Sequence, residues 1–497
     1  MKQSVVIEAD QKIARINPNI YGHFAEHLGH CVYEGIWVGN DSAIENRNGI
    51  RCDVVDALRR IKPPVVRWPG GCFADDYHWQ DGIGRRENRP ERINVHWGGV
   101  IDNNHFGTHE FMDFCAQIGA EPYVCGNMGS GSVREMRDWI EYMNCADNST
   151  LARLRGKNGH PEPFSVKYFG IGNENWGCGG SMSPDYYAHE VRRYSTFLYS
   201  FGVQPFHRIA CGPSGDDPSW TRRFFEVLSG YAGGFSRLSS IQGFALHYYC
   251  GTAGTATEYT DDQWYELLAK AMKIESILVR HRAIMDGFDP ERKIGLVIDE
   301  WGTWHPVIEG TNPRFLRQQN TIRDALVAAL SLDIFNRNAD KVVMTNIAQT
   351  VNVLQAMILT RGSDILLTPT YHVYEMYAAH QGADSVPCRV KTDRITFETI
   401  TGKSSLPTLA GSCSRTDDGI TLSLVNTHVS EPVEVSVDLR GVSKTELRSW
   451  RVLASDDIHD HNTFEEPENV KPVDEDITSS TIELQPASVS VLIYSVD

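Results

Sequence analysis

The chain has 497 residues, 41% of them hydrophobic and 22% charged, the composition of an ordered globular protein with room for one large domain and a smaller one. A net charge of -17 opposes any sequence-independent grip on phosphate backbones or anionic lipid, which needs clustered Lys and Arg, so neither nucleic acid nor a membrane is an expected partner. The N-terminal stretch "MKQSVVIEADQKIARINPN" carries too short an apolar run for a signal peptide and no later run is long enough to span a bilayer, so a cytoplasmic protein is expected.

In chain order, a strand "QSVVIEA" is followed by eight short apolar or β-branched runs: "NIYGHF" (19–24), "PVVRWPG" (64–70), "EPYVCGN" (121–127), "VKYFGIGNE" (166–174), "RIACGP" (208–213), "GFALHYY" (243–249), "KIGLVIDEW" (293–301) and "KVVMTNIAQ" (341–349). Amphipathic stretches such as "DVVDALRRI", "HEFMDFCAQIG", "YYAHEVRRYSTFLYSFG", "DDQWYELLAKAMKIESILVRH" and "IRDALVAALSLDIFNR" separate most of them, with apolar residues at three-to-four spacing. Strand then helix, repeated, predicts a (β/α)8 TIM barrel in the α/β class, with a doubly wound open sheet as the alternative. From residue 383 the helical period gives way to alternating strands with polar turns, which predicts a C-terminal all-β sandwich. The expected division is a barrel over 17–382 and a sandwich over 383–497, with 1–16 pairing into the latter.

The eleven cysteines are an odd count without a C-x-x-C pair, and Cys125, Cys211 and Cys250 fall inside apolar runs; buried free thiols are expected rather than disulfides or zinc ligands.

In a barrel the site lies at the carboxyl ends of the strands, where this sequence has His23, Glu26 and His27, then Arg67 and Trp68, Asn127, Asn173 and Glu174, His247 and Tyr249, Glu300 and Trp301, and Asn346 and Gln349. In "KYFGIGNENWGCGG" the apolar run stops at Gly172, whose freedom lets the backbone turn and present Glu174. Glu174 and Glu300 close strands four and seven, which face each other across such a barrel. Two convergent carboxylates point to glycoside hydrolysis, Glu174 as acid/base and Glu300 as nucleophile, with Arg67 and Tyr249 as donors that keep Glu300 ionised. Asn173 is placed to bind a sugar hydroxyl. Trp97, Trp176, Trp301 and Trp304 crowd the same loops and offer indole faces for sugar rings.

The blocks "IYGHFAEHLGHCVYEGIW", "RWPGGCFADDYHWQDGIG", "HWGGVIDNNHFGTHEF", "GIGNENWGCGG", "LHYY", "VIDEWGTW" and "NIAQTVNVLQAMILT" resemble the α-L-arabinofuranosidases of glycoside hydrolase family fifty-one. The resemblance implies a barrel with a jelly-roll-like C-terminal sandwich, no metal or cofactor, a homohexamer, and retaining release of terminal arabinofuranose from arabinoxylan, arabinan and their oligosaccharides. By position it makes Glu174 the acid/base, Glu300 the nucleophile, and Glu26, Arg67, Asn173, His247, Tyr249 and Gln349 the residues around the furanose. Where many relatives have Asn after the Pro-Gly-Gly turn this chain has Cys72, whose thiol is a weaker hydrogen-bond donor than an amide.

Three other readings compete. His23, Glu26 and His27 fit H-x-x-E-H, the spacing of a zinc hydrolase, although Pro18 and Gly22 argue for strand and loop rather than helix there. A β-xylosidase or endoglucanase could use the same barrel. A non-catalytic carbohydrate-binding protein would share the aromatics but need no carboxylate pair.

Overall fold

The structure is a computed structural model that describes residues 3–230, 236–477 and 481–496. All eight expected runs form parallel strands: Gly22–Phe24, Val65–Trp68, Glu121–Gly126, Tyr168–Ile171, His207–Ser214, Gly243–Gly251, Gly295–Trp304 and Val342–Ala348, here the first to eighth barrel strands. They close in sequence order, the eighth pairing with the first through Asn346 and Gly22. The short first strand follows a 3-10 turn, Pro18–Tyr21, because Asn17 caps that turn and Pro18 opens it.

The amphipathic stretches form the outer helices, with two departures in length. The helix Pro184–Ser195 stops short of the periodic stretch because the Thr196 hydroxyl turns back to the Arg192 carbonyl and Phe201 and Gly202 then take positive φ. The helix Asp261–Phe288 runs longer than expected from a Thr260–Gln263 capping box. "GNMGSGSVREM" is a turn into the helix Val133–Asn144, capped by Ser132.

Beyond the barrel, two sheets face each other. The larger includes Leu409–Arg415, Gly419–Asn426, Ser488–Val496 and Thr445–Leu453; the smaller holds the N-terminal strand Gln3–Glu8 between Cys388–Lys391 and Val433–Arg440. That strand alternates buried Val5 and Ile7 with half-buried neighbours, the period of a strand covered on one face, and its inner residues join Leu422, Leu424, Trp450 and Leu492.

The helix Ile322–Arg337 shows how barrel and sandwich are joined. Its sequence is apolar nearly all round, as in a helix without a solvent face, and Ile322 to Asn336 are all buried. Of its two buried carboxylates, Asp333 accepts from the hydroxyls of Ser412 (2.7 Å) and Ser423 (2.6 Å) on the larger sheet. Burial pushes this carboxyl up and those hydroxyls pull it back only in part, leaving it raised to about 6.

Candidate active site

At the mouth of the barrel the strand ends bring together most of the residues singled out from sequence. Strand four is followed directly by Gly172 at φ +81°, where a β-carbon would sit 2.3 Å from the Asn175 side chain, so only glycine fits. Glu174 follows at φ +40°, an unfavourable backbone for a residue with a β-carbon, held by its surroundings so that the carboxylate faces the cleft.

Strand seven delivers two carboxylates rather than one. A regular strand would send adjacent residues Asp299 and Glu300 to opposite faces. Register shifts against strand six near His247 and against strand eight between Ile298 and Trp301 twist the strand here, and both side chains end in the polar cluster.

Arg67 and His247 tie these acids together. The buried Arg67 donates from Nη1 to Glu300 Oε1 at 2.9 Å, from Nη2 to Asn173 Oδ1, and lies 3.4 Å through Nε from Asp299 Oδ2. Tyr249 donates its hydroxyl to Glu300 Oε2 at 2.9 Å. His247 Nδ1 lies 2.8 Å from Glu174 Oε1 and 3.4 Å from Glu300 Oε2, while Nε2 lies 3.0 Å from Asp299 Oδ1. Both ring nitrogens face carboxyl groups, and while both of those are ionised only the imidazolium can donate to each. Burial alone would lower the His247 pKa, yet Glu300, Asp299 and Glu174 push it up to about 10. Asp299 resists its own burial and is pulled down to about 2 by Arg67 and His247. One oxygen each of Glu174 and Glu300 and a nitrogen of His247 lie within 4.8 Å of one another.

The Glu300 carboxyl is pushed up by burial and by the Glu174 charge, against the pull of His247 and Arg67. The expected donors, Arg67 and Tyr249, do reach it, but removal from water outweighs them.

A second wall is built around Glu26. Its Oε1 accepts from the Phe73 backbone at 3.1 Å and the Trp97 indole at 2.8 Å, and its Oε2 from Gln349 at 3.2 Å. Burial, then the Glu300 charge, raises this carboxyl to about 8. Trp304 stands 38% exposed at the rim with its ring edge-on to Tyr249, 5.1 Å away.

Several strand-end residues belong to the scaffold instead. Trp301 is buried, bonds Thr345 and packs edge-on against Phe335, so it offers no face to a sugar. Trp176 is partly buried against the core. Asn127 holds the turn at Ser130 and Gly131, and Asn346 bonds the His23 carbonyl. The H-x-x-E-H residues are not on a helix and diverge: His23 packs on Tyr374 with burial lowering its pKa to about 3, His27 pairs with Asp102 at 2.6 Å, and Glu26 faces the cleft. That geometry does not make a zinc site.

The cysteine expectation needs one correction. Cys72 and Cys178 form a disulfide, while the other nine cysteines are free. The two are 106 residues apart, and only the meeting of the loops after strands two and four brings them together. Cys72 therefore has no thiol proton to donate to a sugar. The bridge instead packs beside Glu174, its sulfurs 4.0 and 3.5 Å from Oε2.

Sequence reasoning passed over Asp299, Cys178 and Asp75. Asp299 was hidden by its neighbour in "VIDEW", because strand alternation assigns only one of the two to the cleft; the bulge has no plain sequence mark.

Comparison with known proteins agrees with this architecture. Residues 57–219 match the family model described as the alpha-L-arabinofuranosidase 1 domain, and residues 299–488 the alpha-L-arabinofuranosidase C-terminal domain, which begins inside the seventh barrel strand. A Bacteroides ovatus protein named intracellular exo-alpha-L-arabinofuranosidase is 44% identical over 475 residues, 94% of this chain and 90% of that one. Among solved structures, the GH51 arabinofuranosidase of Xanthomonas axonopodis pv. citri superposes with a TM-score of 0.92 at 41% identity, covering 100% of both chains. The alpha-L-arabinofuranosidase of Thermotoga maritima, solved as an arabinose complex, gives 0.84 at 31% identity over 99% of this chain and 100% of that one. With the barrel, the paired carboxylates and these full-length likenesses in agreement, the chain belongs to the α-L-arabinofuranosidases of glycoside hydrolase family fifty-one.

Proposed function

We propose that the enzyme releases terminal, non-reducing arabinofuranose from arabinoxylan, arabinan and their oligosaccharides by double displacement with retention. The observation that carries this reading is the approach of Glu174 and Glu300 within 4.8 Å around one ring nitrogen of His247. Such closeness leaves no room for a water between carboxylate and sugar, which favours direct attack over inversion.

In this reading Glu300 attacks the anomeric carbon while Glu174 gives its proton to the departing glycosidic oxygen, and a glycosyl ester forms on Glu300. Charge on Glu300 is then lost, and Glu174 takes a proton from the water that attacks the ester, restoring both groups. Arg67 and Tyr249 donate to Glu300 and aim it for attack, and with the nearby His247 charge they favour its ionised form against the burial that raises its pKa. Asn173, Glu26 and Gln349 are the hydrogen-bonding groups for the furanose hydroxyls, with Trp97 and Trp304 as its apolar surfaces. Cys72 contributes contact only, through its disulfide.

The catalytic unit is assigned to 17–382 and the accessory sandwich to 383–497 with 1–16; residues 1–2, 231–235, 478–480 and 497 of that division lie outside the described residues. A cytoplasmic location is supported by the name of the Bacteroides ovatus relative, and among the described residues no helix is long and apolar enough to cross a membrane. A homohexamer is the assembly proposed from the family resemblance.

Side-by-side hydrolysis of nitrophenyl α-L-arabinofuranoside, β-D-xyloside and β-D-glucoside, with product stereochemistry followed by NMR, tests the reading. Rapid release of arabinose with retention is expected. Preference for the glucoside, or inversion at the anomeric centre, would overturn it.

A further inference from the structure

Asp75, at the end of the 3-10 turn Cys72–Asp75 that follows strand two, is 4% exposed and lies outside the reacting cluster. Its carboxylate nevertheless collects four N–H donors from two other loops. Oδ1 accepts from the backbone of Met128 (2.6 Å) and Gly129 (2.7 Å) after strand three; Oδ2 accepts from the backbone of Asn173 (2.7 Å) and the side chain of Asn175 (3.2 Å) after strand four. Its own carbonyl accepts from the backbone and hydroxyl of Ser130.

Two glycines show how tightly the loops close on this group. A β-carbon at Gly129 would sit 2.8 Å from Asp75 Cβ, and one at Gly179 would sit 2.4 Å from Asp75 Oδ2 and 2.0 Å from the Asn173 carbonyl. Asn173 and Asn175 are the two neighbours of Glu174, whose left-handed backbone must be held from outside. The Cys72–Cys178 bridge joins the same two loops on the other side of the acid.

We propose that Asp75 is a positioning residue for the reaction: by gripping Asn173 and Asn175 it fixes the backbone of Glu174, and so the place from which the proton is delivered. The proposal rests on the assignment of Glu174 as acid/base. Burial pushes the Asp75 carboxyl up to about 7 while the N–H donors of Asn173, Met128 and Gly129 pull it down, so its charge is bound up with those contacts.

The test uses the intact protein and the variants Asp75→Asn and Asn175→Ala beside Glu174→Ala, on methyl α-L-arabinofuranoside, whose leaving group needs a proton, and on the 2,4-dinitrophenyl arabinofuranoside, whose leaving group does not. Displacement of the acid by a fraction of an ångström to an ångström should lower kcat/KM for the methyl glycoside about 10- to 100-fold in Asp75→Asn, with the dinitrophenyl substrate within about threefold of wild type. Asn175→Ala, which removes only one donor, should give the same pattern at about three- to tenfold. In the Glu174→Ala background, adding Asp75→Asn should cost nothing further, since the group it positions is gone. A loss equal on both substrates, or one that persists at full size in the Glu174→Ala background, would reduce Asp75 to a purely structural part and overturn the proposal. If Glu174→Ala itself shows no dependence on leaving group, the acid/base assignment fails first, and that result is distinguishable from a failure at Asp75.

Discussion

At the amino ends of the barrel strands Val65, Tyr123, Ile209, Ala245, Val297 and Met344 pack into an apolar cluster, whereas at the carboxyl ends the buried Arg67, His247, Asp299 and Glu300 form a polar network with the half-buried Glu174. The two regions are built from the same strands: Val65 and Arg67 share the second, Val297 and Glu300 the seventh. Tyr123 touches both, its ring in the floor and its hydroxyl 2.8 Å from Asp299 Oδ2. A network of this kind is costly to take out of water and is held together chiefly by its own members. The apolar floor supplies stability by burial; the mouth uses that rigidity to keep carboxylates where solvent would not leave them.

If that division of labour is right, changes at the mouth should act on rate and changes at the floor on folding. The largest effect is expected for Glu300→Ala, with kcat/KM down on the order of 10^4-fold or more on every arabinofuranoside, because in the proposed mechanism Glu300 forms the glycosyl ester. Secondary structure by circular dichroism should be unchanged. Glu174→Ala should be next and selective: about 10^2- to 10^4-fold slower where the leaving group needs protonation, with rate partly restored by azide on substrates with good leaving groups. Substrate-independent losses there would blur the distinction between acid and nucleophile on which the proposed mechanism rests.

How far the sequence discloses these two regions differs in the same way. The floor and the strands above it are written in β-branched runs, so all eight strands and the site at their carboxyl ends could be read directly from "PVVRWPG" or "KIGLVIDEW". Glu174, Glu300, Arg67, His247 and Tyr249 follow, because each closes such a run. What the sequence conceals depends on contacts between distant loops or on departures from regular geometry. Cys72 and Cys178 carry no mark of pairing at a separation of 106 residues, and Asp299 is turned inward by bulges that break the alternation rule. Trp301 misleads for a related reason: its position beside Glu300 is a cleft position in sequence but faces the helix layer in space, against Phe335.

Smaller effects probe the floor. Met344 is 2% exposed in the apolar cluster, and Met344→Ala should cost about 2–5 kcal/mol of stability through lost burial and the cavity left behind. Urea unfolding measures that loss, while kcat per folded molecule at low temperature should stay within about twofold of wild type, since no reacting group rests on the Met344 side chain. A fall in kcat as large as that of Glu174→Ala would show that floor and mouth are not separable.

The last expected effect is a pH dependence at the mouth. His247 has its pKa raised to about 10 in the folded protein, where Glu300, Asp299 and Glu174 overcome its burial, against about 6.5 in the unfolded chain. A raised pKa means that the folded state binds the proton more tightly, so the stabilisation is fully present below pH 6.5 and is lost as pH rises toward 10. The stability gap between wild type and His247→Gln should therefore be constant below about pH 6.5 and shrink above it, by no more than about 1.4 kcal/mol per pH unit. Denaturant unfolding of both proteins at pH 6, 8 and 9.5 reads this directly. A gap that widens with pH would mean that His247 is held neutral, and the charges of Glu174, Asp299 and Glu300 would then have to be balanced by Arg67 alone.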